Sequence, residues 1–107
     1  MGNFEKLRSL LKKSYPDYII KVRRIKLSHY GTWQVLDRKN NSFLIKIDKN
    51  ATEGEQIDAL LHEFGHCIVA DKTYEGESQH KLAWGAAYAK LYRLYEEKIL
   101  PRNKDNE

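Results

Sequence analysis

His62-Glu63-Phe64-Gly65-His66 is an HExxH sequence, and its residue types and spacing suit it to metal-assisted hydrolysis. On a helix, positions i and i+4 share a face with Cβ atoms about 5–6 Å apart, close enough for two imidazoles to clamp one Zn²⁺. Glu63 lies one residue round, placed to work on water rather than to ligate. Zinc lowers the pKa of a bound water to about 7, and a neighbouring carboxylate can then take its proton as general base.

A catalytic zinc commonly has three protein ligands and one open position, so a third ligand must come from beyond this segment. The metzincin pattern needs Gly three and His six residues after the second histidine; Val69 and Lys72 stand there, and no Met follows Met1 to form a Met-turn. Asp71, Glu75, Glu77 and His80 remain as candidates. His80 is the best placed of them. It begins a helical stripe with Trp84, Ala87, Leu91 and Leu94, and an imidazole at the end of an inward face is costly unless paired or ligated. Glu77 could ligate from the loop or orient an imidazole. Cys67 points well around the helix from His66 and reads as a small packing residue, and His29 falls in a polar surface turn. Tyr74, Tyr88 and Tyr92 are candidates for an oxyanion donor.

These residues need elements to hold them. Thr52-Glu53-Gly54-Glu55 matches a capping box, and Ile57, Leu60, Leu61, Phe64 and Ile68 follow at helical spacing, predicting a helix over 53–70. If that stripe faces the core, His62 and His66 lie roughly 140–180° away from it. Two plain surface histidines would share this placement, but would not require Glu63 between them. A second helix is expected from Ser78 to Leu100, stopped by Pro101, and a third over 3–14, stopped at Tyr15-Pro16. Residues 18–27 and 32–37 and the alternating Phe43, Ile45 and Ile47 read as strands, with a hairpin at Arg38 to Ser42. The apolar phase of the first strand slips at Arg23-Arg24, which marks a bulge or a strand end. The expected architecture is α+β: an N-terminal helix, a three-stranded antiparallel sheet, the HExxH helix and a C-terminal helix, with residues 1–100 as one domain and 101–107 as a polar tail.

The chain of 107 residues is enough for one such domain, and its single cysteine excludes an intramolecular disulfide and a four-cysteine zinc site. It has no apolar run of membrane-spanning length and no secretory apolar core at its start, so a cytoplasmic protein without membrane contact is expected. Residues 1–49 hold twelve Lys/Arg against four Asp/Glu, whereas 50–107 hold seven against eleven. That asymmetry makes weak, non-specific DNA contact an expectation for the basic first half, through Lys12, Lys13, Lys21, Arg23, Lys26, Arg38 and Lys39.

The run from Glu55 to His66, with His80 and Trp84-Gly85-Ala86-Ala87-Tyr88, resembles the SprT-like (Spartan-type) zinc metallopeptidase domains, closest to the small versions in bacteriophage genomes. Those domains pair HExxH with a later histidine followed four residues on by an aromatic, the spacing of His80 and Trp84. Where the family often has Gly-Pro after that histidine, this chain has Lys81-Leu82. The resemblance covers about residues 31–95. It implies a zincin-like fold, His62, His66 and His80 as zinc ligands, and Glu63 as catalytic base. The function expected is a zinc-dependent endopeptidase acting on a protein or peptide substrate. The alternatives are a DNA- or protein-binding module with a structural or vestigial zinc, and a peptidase dedicated to one regulatory protein.

Overall fold

Leucine, isoleucine and phenylalanine side chains at helical and alternating spacings set the architecture. The computed structural model describes residues 2–70 and 77–100, the backbone alone for 77–80. Its elements are helix α1 (Asn3–Ser14), strands β1 (Ile19–Ile25), β2 (Gly31–Asp37) and β3 (Ser42–Asp48), and helices α2 (Glu53–Ile68) and α3 (Glu77–Lys98). The fold is α+β. One hydrophobic cluster joins Phe4, Leu7 and Leu11 of α1 to Phe43, Ile45 and Ile47 of β3, Leu60, Leu61 and Phe64 of α2 and Leu91 of α3. The 101–107 tail lies outside the described residues.

The sheet corrects the expectation of an antiparallel meander. Its order is β1-β3-β2; β2 and β3 form the antiparallel hairpin, but β1 pairs with β3 in parallel, from Ile19 opposite Ser42 to Ile25 opposite Asp48. The sheet is mixed. β3 takes the centre because its Phe43, Ile45 and Ile47 are the strand side chains most completely buried, while β1 carries Lys21, Arg23 and Arg24, charges that suit an edge. The segment after β1 is therefore a crossing rather than a tight turn. Asp48 ties down its start by accepting the Leu27 N–H at 3.3 Å, and the Asp48 N–H donates to the Tyr30 carbonyl at 2.8 Å.

The β1–β3 register is unbroken, so the phase slip at Arg23-Arg24 is not a bulge; the irregularity lies in β2, between Val35 and Asp37. Strict alternation puts Arg24 on the inner face with Ile20 and Val22. There its guanidinium sits 4.5 Å over the Phe4 ring, pairs with Glu5 at 2.7 Å and donates to Gln56 Oε1 at 3.2 Å. Lys21 and Arg23 share the opposite face without any bulge.

Helix α2 starts with the expected capping box: Thr52 Oγ1 accepts the Glu55 N–H at 3.2 Å, and Glu55 Oε1 accepts the Thr52 N–H at 2.9 Å. One turn on, the buried Gln56 donates to the carbonyls of Asp48, Lys49 and Ala51 at 3.1–3.2 Å, closing the β3–α2 connection. Glu53 reaches across to accept the Phe4 N–H at 3.3 Å, satisfying one of the donors left free at the start of α1.

Candidate metal centre

Helix α2 packs against the sheet, α1 and α3, and from Asp58 onward its side chains are buried except along one stripe and at Ile68 near its end. Asp58, His62 and His66 follow one another along that stripe at four-residue spacing, as the expected packing face requires. Ligand atoms of His62, Glu63 and His66 all lie within 4.8 Å of one another. The donors suit zinc: two imidazoles on one helical face with a carboxylate beside them.

Both imidazoles are held by aromatic rings. His66 lies between two tryptophans, 5.6 Å from Trp33 with planes 5° apart and 5.2 Å from Trp84 with planes 19° apart. The His62 ring meets Trp84 edge-on at 4.7 Å. Trp84 is fixed in turn, because its indole N–H donates to the His62 carbonyl at 3.0 Å. Side-chain choice on three elements, β2, α2 and α3, therefore restricts the rotamers of the two histidines.

Two glycines let those elements close in. A Cβ on Gly65, inside the motif itself, would stand 3.2 Å from Trp84 Nε1 and 3.6 Å from the Tyr88 backbone nitrogen. A Cβ on Gly31, at the head of β2, would stand 3.3 Å from both Glu63 Cγ and the Lys46 carbonyl. Backbone thus covers Glu63, which is buried with its carboxylate 4.0 Å from His62 Nε2. Burial pushes its carboxyl up to about 7, because the charged form is poorly solvated there.

Among the other residues singled out by sequence, Cys67 is buried and its thiol is pushed up by burial and by the Glu63 charge, as a packing residue's would be. His29 is exposed in its turn, 3.3 Å from Ser28 Oγ. Tyr88 directs its hydroxyl to Asp58 Oδ1, and burial and that bond raise its pKa. The Tyr92 ring packs between those of Tyr88 and Tyr95. The backbone of Glu77 and His80 forms the first turn of α3, with His80 one turn before Trp84, and their side chains lie outside the described residues. Asp71, Tyr74 and Glu75 lie outside them entirely.

Sequence reasoning missed Gln56, Trp33 and the two glycines. Gly65 carried a signal: glycine inside a confident helix costs about 1 kcal/mol against alanine and marks close packing. Trp33 carried none, since an aromatic on an alternating strand reads as ordinary core. Among the described residues no helix is long and apolar enough to cross a membrane. Comparison with family models, curated proteins and solved structures finds no match for this chain.

Proposed function

We propose that the chain is a zinc-dependent metallopeptidase of the SprT-like type, an endopeptidase that hydrolyses peptide bonds. The observation that carries this reading is the cluster itself: two aromatic-clamped imidazoles on the solvent-facing stripe of α2, with a buried carboxylate within 4.8 Å. His62 and His66 would hold Zn²⁺. His80 is proposed as the third ligand, since its position one turn before Trp84 brings the start of α3 to the same end of α2.

Bound by these residues, zinc would supply a Lewis acid and acidify a coordinated water. Glu63, buried with its carboxylate 4.0 Å from His62 Nε2, would take that water's proton and pass it to the leaving amine. Gly31 brings the main chain of the edge strand β2 against Glu63, where an extended substrate could pair with the sheet edge. The Tyr88 hydroxyl is committed to Asp58, so Tyr88 serves the site through its ring rather than as an oxyanion donor. A cytoplasmic setting suits the buried free thiol of Cys67. Weak DNA contact would rest on Lys21 and Arg23 and their neighbours, without the inward-tied Arg24.

The test is Glu63→Gln, which keeps shape and removes the base. Zinc content should stay, and cleavage of an unfolded protein substrate should fall by about 10²-fold or more. Equal cleavage by the variant and the wild type would refute the assignment.

A further inference from the structure

On the flank of α2 away from the histidines, α1 and β1 diverge and leave a groove of about 890 Å³. Half-buried Ile20 and Val22 form its apolar floor, with Leu11, Leu60 and Phe64 packed almost wholly out of solvent beneath them. Its rim carries Arg8, Lys12, Lys21 and Arg23, and among the described residues no acidic side chain lines it. Arg8 pairs with Glu5 at 3.1 Å, whereas Lys12, Lys21 and Arg23 have no ion pair among the described residues.

The groove also runs along a sheet edge. Among the described residues β1 is bonded on one side only, to β3. The Ile19 N–H donates to the Asn41 carbonyl and the Ile25 carbonyl accepts from Lys49, each at 2.9 Å, so Ile19, Lys21, Arg23 and Ile25 turn their main-chain groups toward β3. By alternation the N–H and C=O groups of Ile20, Val22 and Arg24 face outward.

We propose that this groove is a docking site for an extended peptide segment of alternating apolar and acidic residues, added as a strand to the β1 edge. The two-residue period of a strand would set the apolar side chains on the floor and the acidic ones beside Lys21 and Arg23. Charge complementarity selects the acidic partner. The aliphatic floor and free main-chain groups favour peptide over a nucleic-acid strand, which needs open aromatic faces. Tyr15 and Tyr18 do not offer them: Tyr15 packs on Phe64 at 5.5 Å, and Tyr18 stacks on Phe43 at 6.3 Å and donates its hydroxyl to the Ile68 carbonyl. The site stands independently of the metal centre on the other flank.

Fluorescence anisotropy on the full chain tests this with three labelled heptapeptides, alternating Val with Glu, Val with Lys, and Thr with Glu. The Val/Glu peptide should bind at least about tenfold tighter than either control. Lys21→Glu with Arg23→Glu, both on the surface, should lower its affinity at least about tenfold and turn the preference toward Val/Lys. Val22→Pro, which removes an outward N–H and spares the β3 ladder, should weaken binding comparably. Equal affinity for Val/Glu and Val/Lys, or an unchanged affinity in the charge-reversed variant, would overturn the proposal. So would displacement of the peptide by oligo-dT at lower concentration than by unlabelled Val/Glu peptide. Self-association in sedimentation that the charge reversal abolishes would make a second copy the occupant and overturn it as well.

Discussion

The two flanks of α2 are built on opposite terms. On the histidine flank, Gly65 and Gly31 let α3 and β2 come to within side-chain-free distance, and Trp33 and Trp84 fill what remains around His66. On the other flank, α1 is tied at its N-terminal end, through Glu53 to Phe4 and through Arg24 to Glu5 and Phe4, and its C-terminal end stands off from β1. The difference shows how one helix can present a closely packed centre on one side and an open groove on the other. Close packing follows where glycines let backbones approach, as at Gly65 and Gly31.

The strongest way to break this contrast is to force the close flank apart. Gly65→Leu drives a side chain into Trp84, whose indole is pinned by the His62 carbonyl. We expect a loss of about 3 kcal/mol in urea unfolding, with His62 and His66 losing their aromatic clamp. Loss of stability with undiminished zinc affinity would show that the clamp does not position the donors.

Next comes Gln56→Leu, which leaves the carbonyls of Asp48, Lys49 and Ala51 and the Arg24 guanidinium without their shared partner. About 2 kcal/mol should be lost, since the Lys49 and Ala51 carbonyls lose their side-chain donor, while the Asp48 carbonyl keeps the Ala51 N–H at 3.3 Å and Arg24 keeps Glu5. Because Gln56 also supports the Arg24 tie to α1, amide exchange should quicken in α1 more than in α3. Uniform quickening would contradict the view that the Gln56–Arg24 tie anchors α1.

The smallest effect sharpens the chemistry of the close flank. Glu63 has a folded-state pKa near 7, above its ordinary value, so the folded state holds the proton more tightly than the unfolded chain. Its burial is harmless at pH 4, and stability is lost as pH rises from the ordinary carboxyl range through about 7. In chelator-treated protein, Glu63→Gln should therefore be more stable than wild type by about 1–2 kcal/mol at pH 8. The two should converge near pH 4. A constant difference across pH would mean that Glu63 is not desolvated.

Much of this arrangement was legible in the residues. Periodicity located all three helices, because Phe4, Leu7 and Leu11 or Ile57, Leu60, Leu61 and Phe64 leave one core-facing stripe. The capping box fixed the start of α2 through local hydrogen bonds between neighbours in sequence. Strand order was not legible, since alternation fixes which face a residue takes but not which strand lies beside it. Arg24 illustrates the gap. A charged residue on the apolar face read as a break in pattern, and only the distant Glu5, Phe4 and Gln56 make that position favourable. At the candidate centre, the spacing of His62, Glu63 and His66 was sufficient to find them, whereas Trp33 is brought to His66 by tertiary packing alone.

The central claim is that the solvent-facing stripe of α2 is a zinc site, and metal stoichiometry tests it most directly. Purified protein dialysed against trace zinc should carry about one Zn²⁺ per chain by elemental analysis, while His62→Ala and His66→Ala should each carry almost none with helix content unchanged. His80→Ala should show a strong loss and Glu75→Ala none. Wild-type protein that binds no zinc, or His62→Ala and His66→Ala variants that bind as much as wild type, would contradict the account.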